Sequence, residues 1–402
     1  MKTYGWTIGL CLFSAVVIVT FLTYSAFDRL PQYALVTAEG DDSAAARMEL
    51  MGVTTVSGRY EVLALTTRGS VYDSEKSAYQ KMIAEARPWI DYMPDIRKLQ
   101  NDYRQFMRGK GDYRGLFQDD EWLVYVKTSR TKAAEKGIVV TFHVDMLDKT
   151  GKKKNRFDTT ITLPSEPSLP YSFQNVDVMD VQRVGRELHV MTMQHDTCIV
   201  FVLDPDSGTL LRAHALDFAA FGDGSAIPVQ IIGETRRSYP SEYVVIRLEE
   251  WPAITEGVTA SNPEREYLAA YHYATGEIRP IEGMDRDRSE DTNSIYQMED
   301  GTFSLINYNA HQAEFRSVRL DRGEVQSLVV QSQQFGAESI RSVKWNEGKL
   351  YLLLQGNETS AVILEAPGGK LLYRGVVKAE GSAEEAKRRL EKLQIYDLEI
   401  HA

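Results

Sequence analysis

Cys198-Ile-Val-Phe-Val-Leu203, Asp204-Pro-Asp-Ser-Gly208 and Thr209-Leu-Leu-Arg212 form one continuous stretch, and it decides the fold. An apolar, β-branched run reads as a strand. A polar turn ending in glycine then reverses the chain into a second strand. The same arrangement recurs at Asp148–Gly151, Ala274–Gly276, Asp321–Gly323 and Pro367–Gly369. Between these turns lies a second kind: Ser57-Gly58, Asp119-Asp120, Gly185-Arg186, Ser241-Glu242, Asp300-Gly301 and Glu347-Gly348. Each of these leads into an apolar run such as Tyr243–Leu248 or Leu350–Leu354. Two alternating hairpin types yield about four strands per 45–65 residues, the period of β-propeller blades.

The expectation is therefore an all-β fold, a β-propeller of about six blades (five to seven). Five units are regular, at roughly 112–164, 173–218, 226–284, 292–332 and 338–379, and a less regular sixth lies near 32–72. A β-sandwich is the rival, but it would not pair the two turn families so evenly.

Leu203-Asp-Pro-Asp-Ser-Gly-Thr-Leu-Leu211 and Tyr273-Ala-Thr-Gly-Glu-Ile278 resemble the outer-strand turns of quinoprotein-like and YVTN-type propellers. The likeness spans about residues 112–379 and implies blade geometry. The tryptophan docking motifs of the cofactor-binding quinoproteins are missing, so no quinone or other cofactor is implied.

Helical patterns interrupt the strands twice. Residues 74–108 read as a helical insertion, a first helix over 74–86 and a second after Pro94. In the second, Ile96, Leu99, Tyr103 and Phe106 recur at helical spacing. Such an insertion either packs on the body as a lid or presents a face to a protein partner. Near the end, Ser382-Ala-Glu-Glu385 is a capping box opening a helix. The alternation Ile395 to His401 then reads as a closing strand, so 382–401 forms a helix plus strand.

The first thirty residues predict a transmembrane signal-anchor helix (1–30), preceding an extracytoplasmic domain (31–402). No charged side chain occurs from Tyr4 to Phe27. That length of helix spans about 36 Å, enough for a hydrocarbon core of about 30 Å. Tyr4, Trp6 and Tyr24 suit the two interfaces, and the run is longer than a cleavable signal. Membrane lipid is thus the expected partner of residues 4–27. Lys2 favours a cytoplasmic N-terminus and an exported body on the cell membrane.

The formal charge of −11 repels phosphate backbones, so nucleic acid is not an expected partner. The two cysteines, Cys11 and Cys198, are too differently placed to pair, and Cys198 reads as a buried inert thiol. The seven histidines, His143, His189, His195, His214, His272, His311 and His401, form no zinc-binding spacing. His195-Asp196-Thr197-Cys198 places a histidine near a thiol, but the side chains should diverge. Asp285–Asp291 begins like a calcium loop yet has Glu290 where glycine is needed and Tyr296 where the bidentate glutamate belongs. Lys149, Lys152, Lys153 and Lys154 make a basic hairpin tip. No catalytic, cofactor or metal residues are nominated. The functional expectation is a membrane-anchored sensing or protein-interaction module, binding at the central channel mouth or through the 74–108 helices. The alternative is an extracytoplasmic hydrolase or lyase acting on cell-wall or carbohydrate material.

Overall fold

A computed structural model describes residues 10, 13–20, 30–56, 58–85, 94–132, 137–164, 176–194, 196–233, 238–252, 263–287 and 292–401. They divide into two compact units. Unit one comprises residues up to 81, 336–365 and 370–402, and unit two comprises 82–335 and 366–369. Strands dominate both.

Along the chain, unit one opens with β1 (Tyr33–Gly40), β2 (Met48–Val56), β3 (Arg59–Thr66) and β4 (Gly69–Tyr72). Unit two carries four sheets, each an antiparallel meander of strands adjacent in sequence. The first is β5 (Leu116–Gln118), β6 (Trp122–Lys132), β7 (Gly137–Asp148) and β8 (Lys154–Pro164). The second is β9 (Asp177–Val184), β10 (Glu187–Gln194), β11 (Thr197–Leu203) and β12 (Leu210–Ala215). The third is β13 (Ile227–Ile232), β14 (Tyr243–Glu250), β15 (Arg265–His272) and β16 (Ile278–Pro280), with β17 (Arg286–Asp287) also paired to β15. The fourth is β18 (Asn293–Glu299), β19 (Thr302–Tyr308), β20 (Gln312–Arg319) and β21 (Val325–Gln331).

Unit one ends with β22 (Ser339–Asn346), β23 (Lys349–Gln355), β24 (Ser360–Glu365), β25 (Lys370–Ala379) and β26 (Leu393–Ile400). Here the chain ends cross over. β1 leaves the sheet of β2 to β4 and pairs with β25 as a fifth strand, while β26 lies beside β2. The sequence unit near 32–72 is thus corrected to a sheet that starts at β2 and borrows β26. Among the described residues there are six sheets of four or five strands, the units from which propellers are built.

The turns explain the regularity. Asp300 and Gly301 both have positive φ, 47° and 70°, as a two-residue hairpin following the strand twist demands. At the other turn type, the Asp204 carboxylate accepts the Asp206 N–H at 2.9 Å and the Ser207 hydroxyl at 2.6 Å. The Gly208 N–H then closes onto the Asp204 carbonyl at 2.8 Å.

The sheets of unit two stack through their alternating apolar residues. Val124, Phe142 and Val144 of the first meet Val190 and Phe201 of the second. Val200 and Val202 meet Val244 and Ile246 of the third. Val245 and Leu268 meet Phe303 and Leu305 of the fourth. In unit one Leu50, Leu63, Leu353, Ile363 and Leu398 share one core. Burying each such side chain stabilises the fold by about 1.5–3 kcal/mol.

Residues 13–20 are helical, and Phe13, Val16, Ile18 and Val19 are exposed there. Most of the expected 4–27 anchor lies outside the described residues, and among those described no helix is long and apolar enough to cross a membrane.

Candidate functional site

The site is built on one face of the β5–β8 sheet. In strands, alternate residues share a face. Val124 and Val126 of β6 and Ile138, Val140, Phe142, Val144 and Met146 of β7 enter the core with residues of β9, β10 and β11. The odd-numbered residues, Leu123, Tyr125, Lys127 and Ser129 on β6 and Thr141, His143, Asp145 and Leu147 on β7, look the other way. Arg156, Asp158 and Thr160 of β8 continue that face.

Its apolar half is roofed by the insertion. A helix over Pro94–Asp102 is followed by a short one over Arg104–Met107, the break falling at Tyr103, whose φ and ψ of −125° and 43° are not helical. The single second helix expected from spacing is therefore two. Ile96, Leu99, Phe106 and Met107 are buried against Leu116, Leu123, Tyr125 and Leu147, with Tyr103 packed at the edge. The stripe faces inward. The earlier helix, Ala78–Glu85, exposes Tyr79 and Met82.

A latch fastens the end of the roof. Lys110, only 9% exposed, places its Nζ 2.7 Å from Asp145 Oδ2 and 2.6 Å from the Phe106 carbonyl. The same ammonium lies 4.2 Å from the Phe106 ring centroid and 5.5 Å from that of Tyr125. Arg156 bonds the same carboxylate, its Nη2 3.0 Å from Oδ2. Burial works against the Asp145 charge, but hydrogen bonds from Arg156 and Lys110 outweigh it and hold the carboxyl below its usual range.

Beyond the latch the face is polar and open. Ser129 Oγ lies 2.7 Å from His143 Nε2, and His143 Nδ1 lies 2.8 Å from Asp158 Oδ1. The Thr141 and Thr160 hydroxyls sit 3.2 Å apart beside them. Sequence reasoning named His143 only as one histidine among seven and missed Ser129 and Asp158. The signal was there as period-two polarity shared by three adjacent strands, but it needs the registers of β6, β7 and β8 to become a cluster.

At the other edge of the roof is a cleft of about 340 Å³ lined by Asp95, Lys98, Asp102, Tyr103, Asp120, Lys149 and Tyr239, among others. Lys149 donates to Gln118 Oε1 at 2.9 Å and to the Asp119 carbonyl at 2.6 Å, and lies 5.7 Å from the Tyr103 ring centroid. Burial lowers its pKa, and Asp119 and Asp120 partly offset that. The four-lysine tip is thus split: Lys149 turns into the cleft, while Lys152, Lys153 and Lys154 are exposed.

The remaining candidates are scattered. Cys198 is fully buried, and desolvation pushes its thiol up to about 12. His195 lies outside the described residues. His189 is buried beside Glu187, Nε2 to Oε2 3.3 Å, and desolvation lowers its pKa. His214 Nε2 is 3.1 Å from the Tyr271 hydroxyl. Of the calcium-like loop, Arg286 and Asp287 form β17, and residues 288–291 lie outside the described ones. Among the described residues, no three His, Cys, Asp or Glu side chains are placed to hold a metal ion.

No protein-family profile and no curated protein matches the chain. The solved structures to which it is similar include propellers. The Dos1 propeller is 12% identical with a TM-score of 0.33, over 62% of this chain and 59% of that one. The chain thus spans about three-fifths of the Dos1 structure's length. The Nup133 β-propeller domain of Vanderwaltozyma polyspora is 10% identical with a TM-score of 0.25, over 63% and 71%. A luciferin-regenerating enzyme is 11% identical with a TM-score of 0.24, over 67% and 91%.

Proposed function

We propose that the chain is a membrane-tethered protein whose exported, propeller-type body serves as a docking or sensing module. The observation that carries this reading is the helix over 13–20, where Phe13 and Ile18 are 69% and 57% exposed. Exposed side chains of that kind are stable in hydrocarbon and costly in water. The face offered to a partner is the cleft beside the Pro94–Asp102 helix, with Met82 as a further exposed apolar group of the insertion. The helix is held by Ile96 and Leu99, so Asp95, Lys98 and Asp102 form a fixed wall, and a partner meeting it pays little ordering entropy.

The test is flotation of the full chain with lipid vesicles, compared with a chain lacking residues 1–30. The full chain should float and the shortened one should stay in the soluble fraction. Recovery of the full chain from the soluble fraction would remove the tether. A photo-crosslinking residue at Lys98 in native membranes should yield a discrete adduct, where the same group at Lys349 in unit one does not. Identical patterns from both positions would dismiss the cleft as the docking face.

A further inference from the structure

Ser129, His143 and Asp158 stand on three neighbouring strands of one sheet. The registers that pair His143 with Asp158, and Ser129 with Thr141, put all three side chains on the same face. The order of contact is hydroxyl, imidazole, carboxylate, at 2.7 and 2.8 Å. Both distances are within reach for proton transfer and for orienting the base. A carboxylate accepting from Nδ1–H fixes the tautomer in which Nε2 is free to accept the serine proton. Substrate access is open, because Ser129 is exposed and the His143 side chain retains 32% of its surface. Strand pairing along β6, β7 and β8 holds the backbone of all three residues, so the relay is in place before any ligand arrives.

We infer that Ser129, His143 and Asp158 form a nucleophilic site that cleaves small carboxylic esters. The inference is independent of where the chain is anchored. Ser129 Oγ bonds to the acyl carbon, and its proton passes to His143 Nε2. The acyl–oxygen bond to the alcohol breaks, and the alcohol leaves with the proton from Nε2. Water then attacks the acyl carbon and gives a proton to Nε2. The carboxylic acid departs as Ser129 Oγ takes that proton back. Asp158 steadies the imidazolium in both halves. Lys127 belongs to the same face, directly across the register from His143, and its ammonium is assigned to the developing oxyanion. The site lies open to water, where such stabilisation is weaker than in an enclosed hole. It therefore suits esters with good leaving groups and not amides.

The full chain in detergent micelles is treated with a fluorophosphonate probe, and the modified residue is located by mass spectrometry. The expected result is a phosphonyl adduct on Ser129 that is at least about a hundredfold slower to form in H143A and at least about tenfold slower in D158N. A wild-type chain that leaves Ser129 unmodified overturns the inference. So does modification at an unchanged rate in H143A. Hydrolysis of p-nitrophenyl acetate supplies the second readout. An exposed imidazole cleaves this ester unaided, so S129A is compared with wild type at equal concentration. At least a tenfold loss supports the relay, and equal rates overturn it. Ser129 and Asp158 are exposed, so an unchanged melting transition in S129A and D158N establishes that the losses are chemical.

Discussion

Lys110 Nζ reaches Asp145 Oδ2 at 2.7 Å while capping the Phe106 carbonyl, so a single ammonium ties the end of the helical roof to β7. Both side chains are largely withdrawn from water, at 8% and 20% exposure. Removing Lys110 leaves Asp145 with the Arg156 guanidinium alone and takes this donor from the Phe106 carbonyl. K110M should cost about 2 kcal/mol in urea unfolding, and amides of residues 95–107 should exchange faster. Unfolding free energy within about 0.5 kcal/mol of wild type would mean that the latch adds nothing.

The pH dependence follows from the same carboxylate. Arg156 and Lys110 hold the folded pKa of Asp145 below its unfolded value. A depressed folded pKa contributes stability that is present above the unfolded value and is lost as pH falls through the folded one. D145N should therefore be less stable than wild type at pH 7, and the gap should shrink as the pH drops below about 4. A gap that stays constant down to about pH 2.5 would rule out this linkage.

What could be read from the sequence follows a physical divide. Hairpins are local: Asp300-Gly301 and Asp204–Gly208 announce themselves because φ and hydrogen bonding within a few residues decide them. So is the stripe of Ile96, Leu99 and Phe106, which needs only helical spacing to be recognised. The departure of β1 to β25 was not legible, because strands paired across more than three hundred residues leave no mark in their own neighbourhood. The relay was hidden for the same reason. Ser129, His143 and Asp158 look like unrelated surface residues until two registers align them. The break at Tyr103 also escaped notice, since its apolar ring keeps the helical spacing while its backbone leaves it.

Cys198 offers a clean probe of unit two. It lies in the apolar contact between the second and third sheets, and its thiol is pushed up to about 12 by desolvation alone. At pH 8 the thiolate fraction is then about a thousandfold below that of an unhindered cysteine. Iodoacetamide should label Cys198 in urea but not in the native protein over the same interval, with peptide mapping separating it from Cys11. Comparable native labelling would show that the sheets part readily there.

The roof itself is open to a packing test. Leu99 is 3% exposed and sits among Leu116, Leu123 and Leu147. L99A removes buried methyl groups from a site enclosed by both helix and sheet, so a loss of about 2–5 kcal/mol is expected. Calorimetry of the variant checks it. A loss below about 1 kcal/mol would place Leu99 on a loosely attached segment, and the cleft wall beside it would no longer count as preformed.

The strongest structural dependence concerns the end of the chain. β26 pairs with β2 from Met48↔Ile400 to Thr54↔Leu393 and sends Ile395 and Leu398 into the core of unit one. At Gly52 an added Cβ would meet the Ile395 side-chain end, Cδ1, at 2.5 Å, so Ile395 packs directly over this position and would have to shift to admit a larger residue. Ending the chain after Gln394 removes two buried apolar side chains at about 1.5–3 kcal/mol each and strips the strand partners from one edge of β2. Together these losses reach the margin by which a domain is stable. Limited proteolysis should then cut β2 and β3 at native temperature while the sheets of unit two stay protected. L398A, which keeps the backbone pairing, should fall between the truncated chain and wild type. An unchanged melting transition after truncation would mean that β26 is an ornament on a sheet that stands without it.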